Sequence, residues 1–436
     1  MTSTTSLFTP PGNYTIDPTF AHRRGTSTLT VRGADGQALA NTEVTVEQTK
    51  HQFLFGNIGF ELMGYLNNTI HHENGVALGR GVSGDDEYFE NFIDKYLAIY
   101  NQATMPFYWG RFEPAEGKPR IDEMMVAAKW FTDRGVTVKG HPLVWHTVAP
   151  KWLLGKPLDE VERLQRARIR RDVSAFEGVI DTFDAINEVV IMPVFTAEDN
   201  AITPLARQMG RVEIIRLAFE EARAANPNVK LLLNDFDLST AYECLIEAVL
   251  EAGIPIDYLG MQSHQHQGYM GSQKAMDRLN RFSRFNIPIH FTETTLVSGD
   301  LMPEHIVDLN DWQVPSWPST PEGEERQAQD LVDFTKVLFS HPNVHAFTYW
   351  GLGDRGMWLG APGGLLREDG SAKPSYDAFK DLVKNQWWMQ PTQMMTDASG
   401  QITVSGYKGD YQVSAGGDVA AFVVGDEPAA TQVTLG

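Results

Sequence analysis

A stretch at the middle of the chain, Thr182-Phe183-Asp184-Ala185-Ile186-Asn187-Glu188-Val189, opens as an apolar strand and ends in an Asn-Glu pair. A carboxylate at the end of a buried strand is costly unless it is paired or working. Glu188 is therefore a candidate acid, and other apolar runs end in the same style. They are Gly140-His141-Pro142-Leu143-Val144-Trp145-His146, Asn234-Asp235, Gln262-Ser263-His264, Thr292-Glu293-Thr294 and Tyr349-Trp350-Gly351-Leu352-Gly353-Asp354, with Trp358 shortly after. Any one of these reads equally well as a satisfied buried polar residue. Together they set two carboxylates, Glu188 and Glu293, among imidazoles, amides and indoles. Cleavage of a glycosidic bond needs one protonated carboxyl group to donate to the leaving oxygen and a second to attack the anomeric carbon or activate water. Indoles offer flat apolar faces to the C–H side of a sugar ring, while amides and imidazoles can hold its hydroxyls.

These residues need a frame that brings strand ends onto one face. Apolar runs at 52–58, 104–109, 136–145, 182–188, 230–235, 258–263, 288–293 and 345–350 alternate with helical periodicity near 88–101, 121–134, 159–178, 205–226, 241–252, 274–285, 322–340 and 375–384. Alternation of this kind predicts an α/β fold, a (β/α)8 TIM barrel over residues 51–388, whose C-terminal strand ends carry the site. A doubly wound open sheet is the alternative. Residues 1–50 form an N-terminal β segment, with a loose leader over 1–23 and strands over 24–50; residues 389–436 form a C-terminal β segment. Neither can bury a core alone, so the two are expected to pack together as one small β-sandwich.

Composition narrows the partners. The 36 Lys and Arg stand against 56 Asp and Glu, a formal charge of −20, which argues against nucleic acid or an anionic membrane. The oligomeric state is open. No stretch approaches about 18 continuous apolar residues. The first residues, Met1 to Phe8, show neither a basic region nor an apolar run of signal length, so a cytoplasmic location is expected unless a leader has been removed. Cys244, the single cysteine, reads as a small core residue on a helix. A metal is the rival chemistry, since His264-Gln265-His266 and His71-His72-Glu73 superficially resemble ligand clusters. The first lacks an evident acidic partner other than Asp354 and the second lies in a polar loop, so the expectation is no metal and no cofactor. Gly79 to Gly84 fits a GxGxxG pattern but runs into Asp85-Asp86-Glu87, which would repel phosphate.

Residues from roughly 50 to 385 resemble glycoside hydrolase family 10, the family best known for endo-β-1,4-xylanases. The likeness is carried by residues 140–146, Asp184 to Glu188, Gly260 to His264, Thr292-Glu293, Trp350 to Asp354 with Trp358, and the later stretch Leu365 to Tyr376. The resemblance implies a retaining mechanism with Glu188 as general acid/base and Glu293 as nucleophile, their carboxyl groups about 5–5.5 Å apart. It implies that Asn187 bonds the sugar 2-hydroxyl. His141, Gln262 and His264 would line the subsite of the cleaved sugar, with His264 also orienting Glu293, and Trp145, Trp350 and Trp358 would wall it.

Two departures stand out. Where the family usually carries Glu-Asn-Glu-Met-Lys-Trp at the end of strand two, this chain reads Thr104-Met105-Pro106-Phe107-Tyr108-Trp109. Three groups that bind hydroxyls on the glycone side thus become Thr104, Met105 and Tyr108, and Tyr108 is a candidate substrate contact that blocks the cleft or stacks on something flat. Glu113-Pro114, Gly117 and Asp122 keep the family spacing, so the change is local. After Glu293 the family's Asp is Thr295, which leaves His264 without a carboxylate partner. The long loop 295–321 and the insertion 57–87 read as walls of the cleft. The expected substrate is a xylose-type or related plant oligosaccharide or glycoside, short or with an apolar aglycone. A catalytically silent carbohydrate-binding protein and a metal-dependent barrel hydrolase are the alternatives.

Overall fold

The computed structural model describes residues 12–73, 75–79 and 84–436, with the backbone alone for His71 and Glu73. The chain opens with β1 (Arg24–Arg32) and β2 (Glu43–His51). The strands β3 (Leu54–Ile58), β4 (Ile70–Glu73), β5 (Val76–Gly79), β6 (Gln102–Pro106), β7 (Thr137–His141), β8 (Thr182–Asn187), β9 (Lys230–Asp235), β10 (Tyr258–Gln265), β11 (Ile289–Leu296) and β12 (Val344–Tyr349) follow. Between them run α1 (Leu62–Leu66), α2 (Asp85–Leu97), α3 (Trp109–Phe112), α4 (Ile121–Thr132), α5 (Leu158–Ala175), α6 (Ile202–Met209), α7 (Arg211–Ala225), α8 (Thr240–Glu251), α9 (Ser272–Phe282), α10 (Pro321–Ser340) and α11 (Pro374–Asp381). The chain ends with β13 (Thr392–Met395), β14 (Gln401–Tyr407), β15 (Gly409–Ala415), β16 (Asp418–Val424) and β17 (Ala429–Thr434).

Strands β3, β6, β7, β8, β9, β10, β11 and β12 close in that order into a barrel whose last strand pairs in parallel with its first. This is the (β/α)8 barrel expected from the alternation. Its strands read as apolar runs because helices cover their outer face; in β9 only Lys230 is exposed. The pairing slips between Asp184 and Ile186, between Met261 and Gln262, and between Phe291 and Thr294. Such irregularities re-aim side chains, and these three fall on the strands that carry Glu188, Gln262 and Glu293.

The terminal segments form the expected accessory sandwich. Strand β1 lies between β14 and β17, and β2 lies between β13 and β15, with β16 outside. Each N-terminal strand is thus the middle of a sheet whose neighbours come from the other end of the chain. Leu29, Val31, Val44 and Val46 meet Ile402, Val404, Tyr411, Val413, Phe422 and Val424 in one buried cluster.

Several expectations need correcting. The helix expected over 205–226 is two helices, α6 and α7, separated by Gly210 at φ 82°, ψ 160°; glycine adopts this backbone without the Cβ penalty. Residues 12–23 are docked, not loose. Phe20 is buried against Phe339 and Trp387, and the Arg23 guanidinium donates to the carbonyls of Phe339, His341 and Val344. Residues 1–11 of the expected leader lie outside the described residues. Cys244 is exposed on α8, whose inner face is supplied by Tyr242, Leu245, Ile246 and Val249. Strand β6 stops at Pro106 and β7 at His141, ahead of Pro142, so Tyr108 and Trp145 stand on the loops above the barrel. No described helix is long and apolar enough to cross a membrane.

Candidate active site

Glu188 follows β8 in a left-handed backbone conformation, φ 57°. That region is sparsely populated by residues with a side chain, and its occupation at a binding cleft costs on the order of 1–3 kcal/mol. Two backbone bonds hold it: Asn187 N–H donates to the Val144 carbonyl and Glu188 N–H to the Asn234 carbonyl, both at 2.9 Å. The carboxyl group then receives Trp145 Nε1 on Oε2 at 2.9 Å, with Gln262 Nε2 at 3.0 Å and Asn187 Nδ2 at 3.2 Å on Oε1. Burial raises its pKa to about 8, with the charge of Glu293 adding to the rise. A carboxyl group raised in this way can hold a proton at neutral pH and so could give one.

Glu293 sits within β11 and has the opposite electrostatics. Burial alone would raise its pKa, but the charge of His141 and the hydrogen bond and charge of His264 outweigh burial and hold it below the ordinary value. His264 Nε2 lies 3.3 Å from Glu293 Oε2, and His264 Nδ1 lies 2.9 Å from Thr295 Oγ1. His264 thus bridges the carboxylate and the threonine hydroxyl through its two ring nitrogens. The place where the family carries a carboxylate is thus filled by a hydroxyl. On the other side, His141 Nε2 is 3.9 Å from Glu293 Oε1.

An amide chain joins the two carboxyl groups. Gln262 Nε2 donates to Asn187 Oδ1 at 3.0 Å, Asn234 Nδ2 donates to the same oxygen at 2.8 Å, and Asn234 Nδ2 also donates to Glu293 Oε1 at 2.9 Å. Thr292 Oγ1 fixes the orientation of Asn234 by donating to its Oδ1 at 2.6 Å. Gly260 makes the space: a Cβ there would lie 2.2 Å from Asn234 Oδ1.

His141 is set from below. Asp184 Oδ2 receives His141 Nδ1 at 2.6 Å and Lys139 Nζ at 2.7 Å, all three groups being buried. A buried carboxylate is tolerable only with such partners, and this one leaves His141 Nε2 to face the cleft. Behind Glu188, His146 Nε2 stands 3.9 Å from Oε2 and its ring packs 4.2 Å from Phe195; burial lowers its pKa to about 4, so it is neutral.

The indoles divide. Trp145 is half-buried and bonded to Glu188. Trp350 is buried, 5.2 Å from His141 and 6.1 Å from His264 between ring centres. Trp358 packs 5.0 Å from His264, and Asn310 of the long loop accepts its Nε1–H at 3.2 Å. Trp317 of the same loop lies 6.1 Å from His266. Tyr108 meets the rings of Trp145 at 5.4 Å, His141 at 5.6 Å and Phe60 at 5.6 Å.

The fold thus brings Glu188, Glu293, His141, Trp145, Asn187, Gln262, His264, Trp350, Trp358 and Tyr108 to one rim. Asn234, Asp184, Lys139 and Phe60 belong to the same cluster and were not singled out as site residues from sequence. A charged residue inside an otherwise apolar strand was the available signal for Lys139 and Asp184. The residues of the rival metal reading have other partners. His264 is held by Glu293 and Thr295, Asp354 pairs with Lys373 at 2.7 Å, and buried His266 packs against Trp317 and Trp358. Among the described residues no group of three His, Cys, Asp or Glu could hold a metal ion. The side chains of His71 and Glu73, and residues 80–83 of the glycine pattern, lie outside the described residues.

The chain matches known proteins in sequence and in fold. A family model described as glycosyl hydrolase family 10 matches residues 68–382. The chain is 28% identical over 309 residues to the endo-1,4-beta-xylanase/feruloyl esterase of Xylanibacter ruminicola, covering 65% of this chain and 42% of that protein. It is 26% identical over 329 residues to endo-1,4-beta-xylanase C of Paenibacillus barcinonensis, covering 66% of this chain and 29% of that protein. It therefore spans less than half the length of either relative. Among solved structures, xylanase 10B from Thermotoga petrophila RKU-1 in complex with xylobiose superposes with a TM-score of 0.60 at 20% identity, over 77% of this chain and 95% of that one; this is a likeness of fold.

Proposed function

The chain belongs to glycosyl hydrolase family 10, and from that premise we propose that it is a retaining β-glycoside hydrolase with Glu188 as acid/base and Glu293 as nucleophile. The observation that carries the reading is the opposite perturbation of two carboxyl groups joined by one amide chain, Glu188 raised and Glu293 lowered. Unlike environments for paired carboxyl groups are how one site runs acid and nucleophile at the same pH. In the first step a Glu293 oxygen attacks the anomeric carbon, the glycosidic C–O bond breaks, and the Glu188 proton goes to the departing oxygen. In the second, water loses a proton to Glu188 and adds to the anomeric carbon, and the ester to Glu293 breaks. Asn187, placed by Gln262 and Asn234, holds the 2-hydroxyl, a contact that strengthens in the transition state. His141 and His264 orient Glu293 and meet the other hydroxyls, against the indoles of Trp145, Trp350 and Trp358.

The relatives' names make β-1,4-linked xylose the first substrate class to try. Proton NMR of the first-formed hemiacetal from a β-linked substrate checks the mechanism. The β anomer is expected, and initial release of the α anomer sinks the retaining assignment. A carbohydrate-binding protein without activity would show no turnover on any such substrate while still binding it.

A further inference from the structure

We propose that the glycone side of this cleft holds a single sugar residue, so that the enzyme removes β-linked monosaccharides from a non-reducing end or from an apolar aglycone instead of cutting inside a polymer. The proposal rests on the glycosidase reading above and deepens it.

Four side chains close a circuit of ring contacts beside the nucleophile. Phe60, from the segment after β3, meets Tyr108 at 5.6 Å; Tyr108 meets His141 at 5.6 Å; His141 meets Trp350 at 5.2 Å; and Trp350 returns to Phe60 at 5.5 Å. All are edge-to-face contacts at the spacing of packed aromatic pairs, and a pyranose does not fit between rings so close. Behind them Thr104 and Met105 have no exposed surface at all. Two of the three positions where hydroxyl-binding groups would be expected are therefore sealed, and the third, Tyr108, is part of the seal.

The wall is fixed in place. Gly110 N–H donates to the Val148 carbonyl at 2.8 Å, and Val148 N–H donates to Glu198 at 3.0 Å, with Val148 held at φ 53°. A β-branched residue in that conformation is strained, and the loop that bears the strain ties the Trp145 segment to α3, directly after Tyr108. The Arg111 guanidinium lies 5.6 Å from the Tyr108 ring.

The other side of the acid differs. The leaving group departs on the side of Glu188. There the loops after β8 and β9 adjoin, Asp235 accepting Val190 N–H at 3.0 Å, and they present Val194 and Phe236 with 60% and 48% of their surface exposed. A glycone side walled by packed rings, beside a leaving-group side that exposes apolar side chains, matches a substrate whose bulk lies on the aglycone side.

The test uses the full chain with aryl β-monosides (xylosyl, glucosyl, galactosyl), the matching aryl β-1,4-biosides, and reduced xylopentaose. The expected result is kcat/KM for a monoside at least equal to that for its bioside, with single sugars released first from the reduced pentamer. A bioside cleaved about tenfold faster, or release of di- and trisaccharides, overturns the single-sugar pocket and leaves the glycosidase standing. Turnover of none of these substrates, together with no covalent labelling of Glu293 by a 2-deoxy-2-fluoro glycoside, overturns both. Tyr108→Ala opens the circuit at a half-buried residue and should raise the bioside-to-monoside ratio by about tenfold. An unchanged ratio in a variant with an unchanged melting temperature removes the wall as the cause.

Discussion

Two halves of one rim solve the same problem in different ways. Around Glu188 and Glu293, hydrogen bonds on the carboxyl oxygens run through Gln262, Asn187 and Asn234 to partners on β8, β9, β10 and β11. Around Tyr108, at the end of β6, rings pack on rings, and the polar side chain beneath, Thr104, is shut away from solvent. The first half depends on the particular atoms at the ends of its hydrogen bonds, because a buried donor or acceptor that loses its partner costs more than the bond contributed. The second half depends on volume and shape, which neighbouring apolar groups can reproduce. On the proposed reading, chemistry and substrate choice are separable in this barrel, and substitutions in the two halves should fail in different ways.

The largest effect is expected in the polar half. Glu293→Ala removes the proposed attacking group and should lower kcat on the order of 10^4 to 10^6-fold. Azide should restore part of it by yielding the α-glycosyl azide, the product of direct displacement. Glu188→Ala should cost about 10^2 to 10^4-fold, most on substrates with poor leaving groups, and azide should then give the β-glycosyl azide. The opposite pairing of azide products would exchange the two roles. The pH profile follows the same assignment. Activity needs Glu188 protonated and Glu293 ionised. Since Glu188 is raised to about 8, kcat/KM should fall as pH rises through about 8. Since Glu293 is lowered, the acid limb should lie below the usual carboxylate range. In Glu188→Gln the alkaline limb should vanish; its persistence would place that titration on another group.

Asn234→Ala comes next, at about 10^2-fold in kcat. It breaks the amide chain at its middle, taking one donor each from Glu293 Oε1 and Asn187 Oδ1, yet Asn234 is buried behind both and KM should move little. Gly260→Ala should reproduce much of this loss, because the added Cβ would displace the Asn234 side chain. If Asn234→Ala raises KM and spares kcat, the amide chain acts on binding and not on the carboxyl pair.

What was legible in the sequence follows from the same contrast. Strand alternation and strand-end polar clusters are local patterns, so the barrel, Asn187-Glu188, Glu293 and their imidazoles could be read directly. Asn234 looks no different in sequence from other strand-end amides. Its role depends on the slipped pairing of β8 with β9 and on the gap left by Gly260, and both exist only once the barrel closes. Phe60 carried no signal, since an aromatic in a loop acquires meaning only when Tyr108 and Trp350 arrive from other strands. The break at Gly210 was not read because an isolated glycine in a helical stretch does not by itself end a helix. The exposure of Cys244 turned on its position around α8, where helical character alone says nothing about facing. The terminal segments read as strands, but their interleaving, β1 and β2 each central to a sheet completed by the C-terminus, is a long-range choice made by the shared apolar cluster.

The smallest effect tests how the polar half tolerates the departure after Glu293. Thr295 gives His264 Nδ1 its one hydrogen bond in this arrangement, at 2.9 Å. Thr295→Val keeps the volume and removes the hydroxyl, which removes a bond worth about 1 kcal/mol, or roughly fivefold in rate if it is felt wholly in the transition state. Thr295→Ser keeps the hydroxyl and should recover most of that loss, a rescue that a purely packing role for the residue would not produce. Because His264 touches Glu293 and not the ring wall's Tyr108, the loss should be equal for aryl monosides and biosides. Measuring kcat/KM for both variants on both substrates checks this. A change in the substrate ratio in Thr295→Val would mean that the two halves of the rim are coupled through His264 and Trp350, whose rings lie 6.1 Å apart.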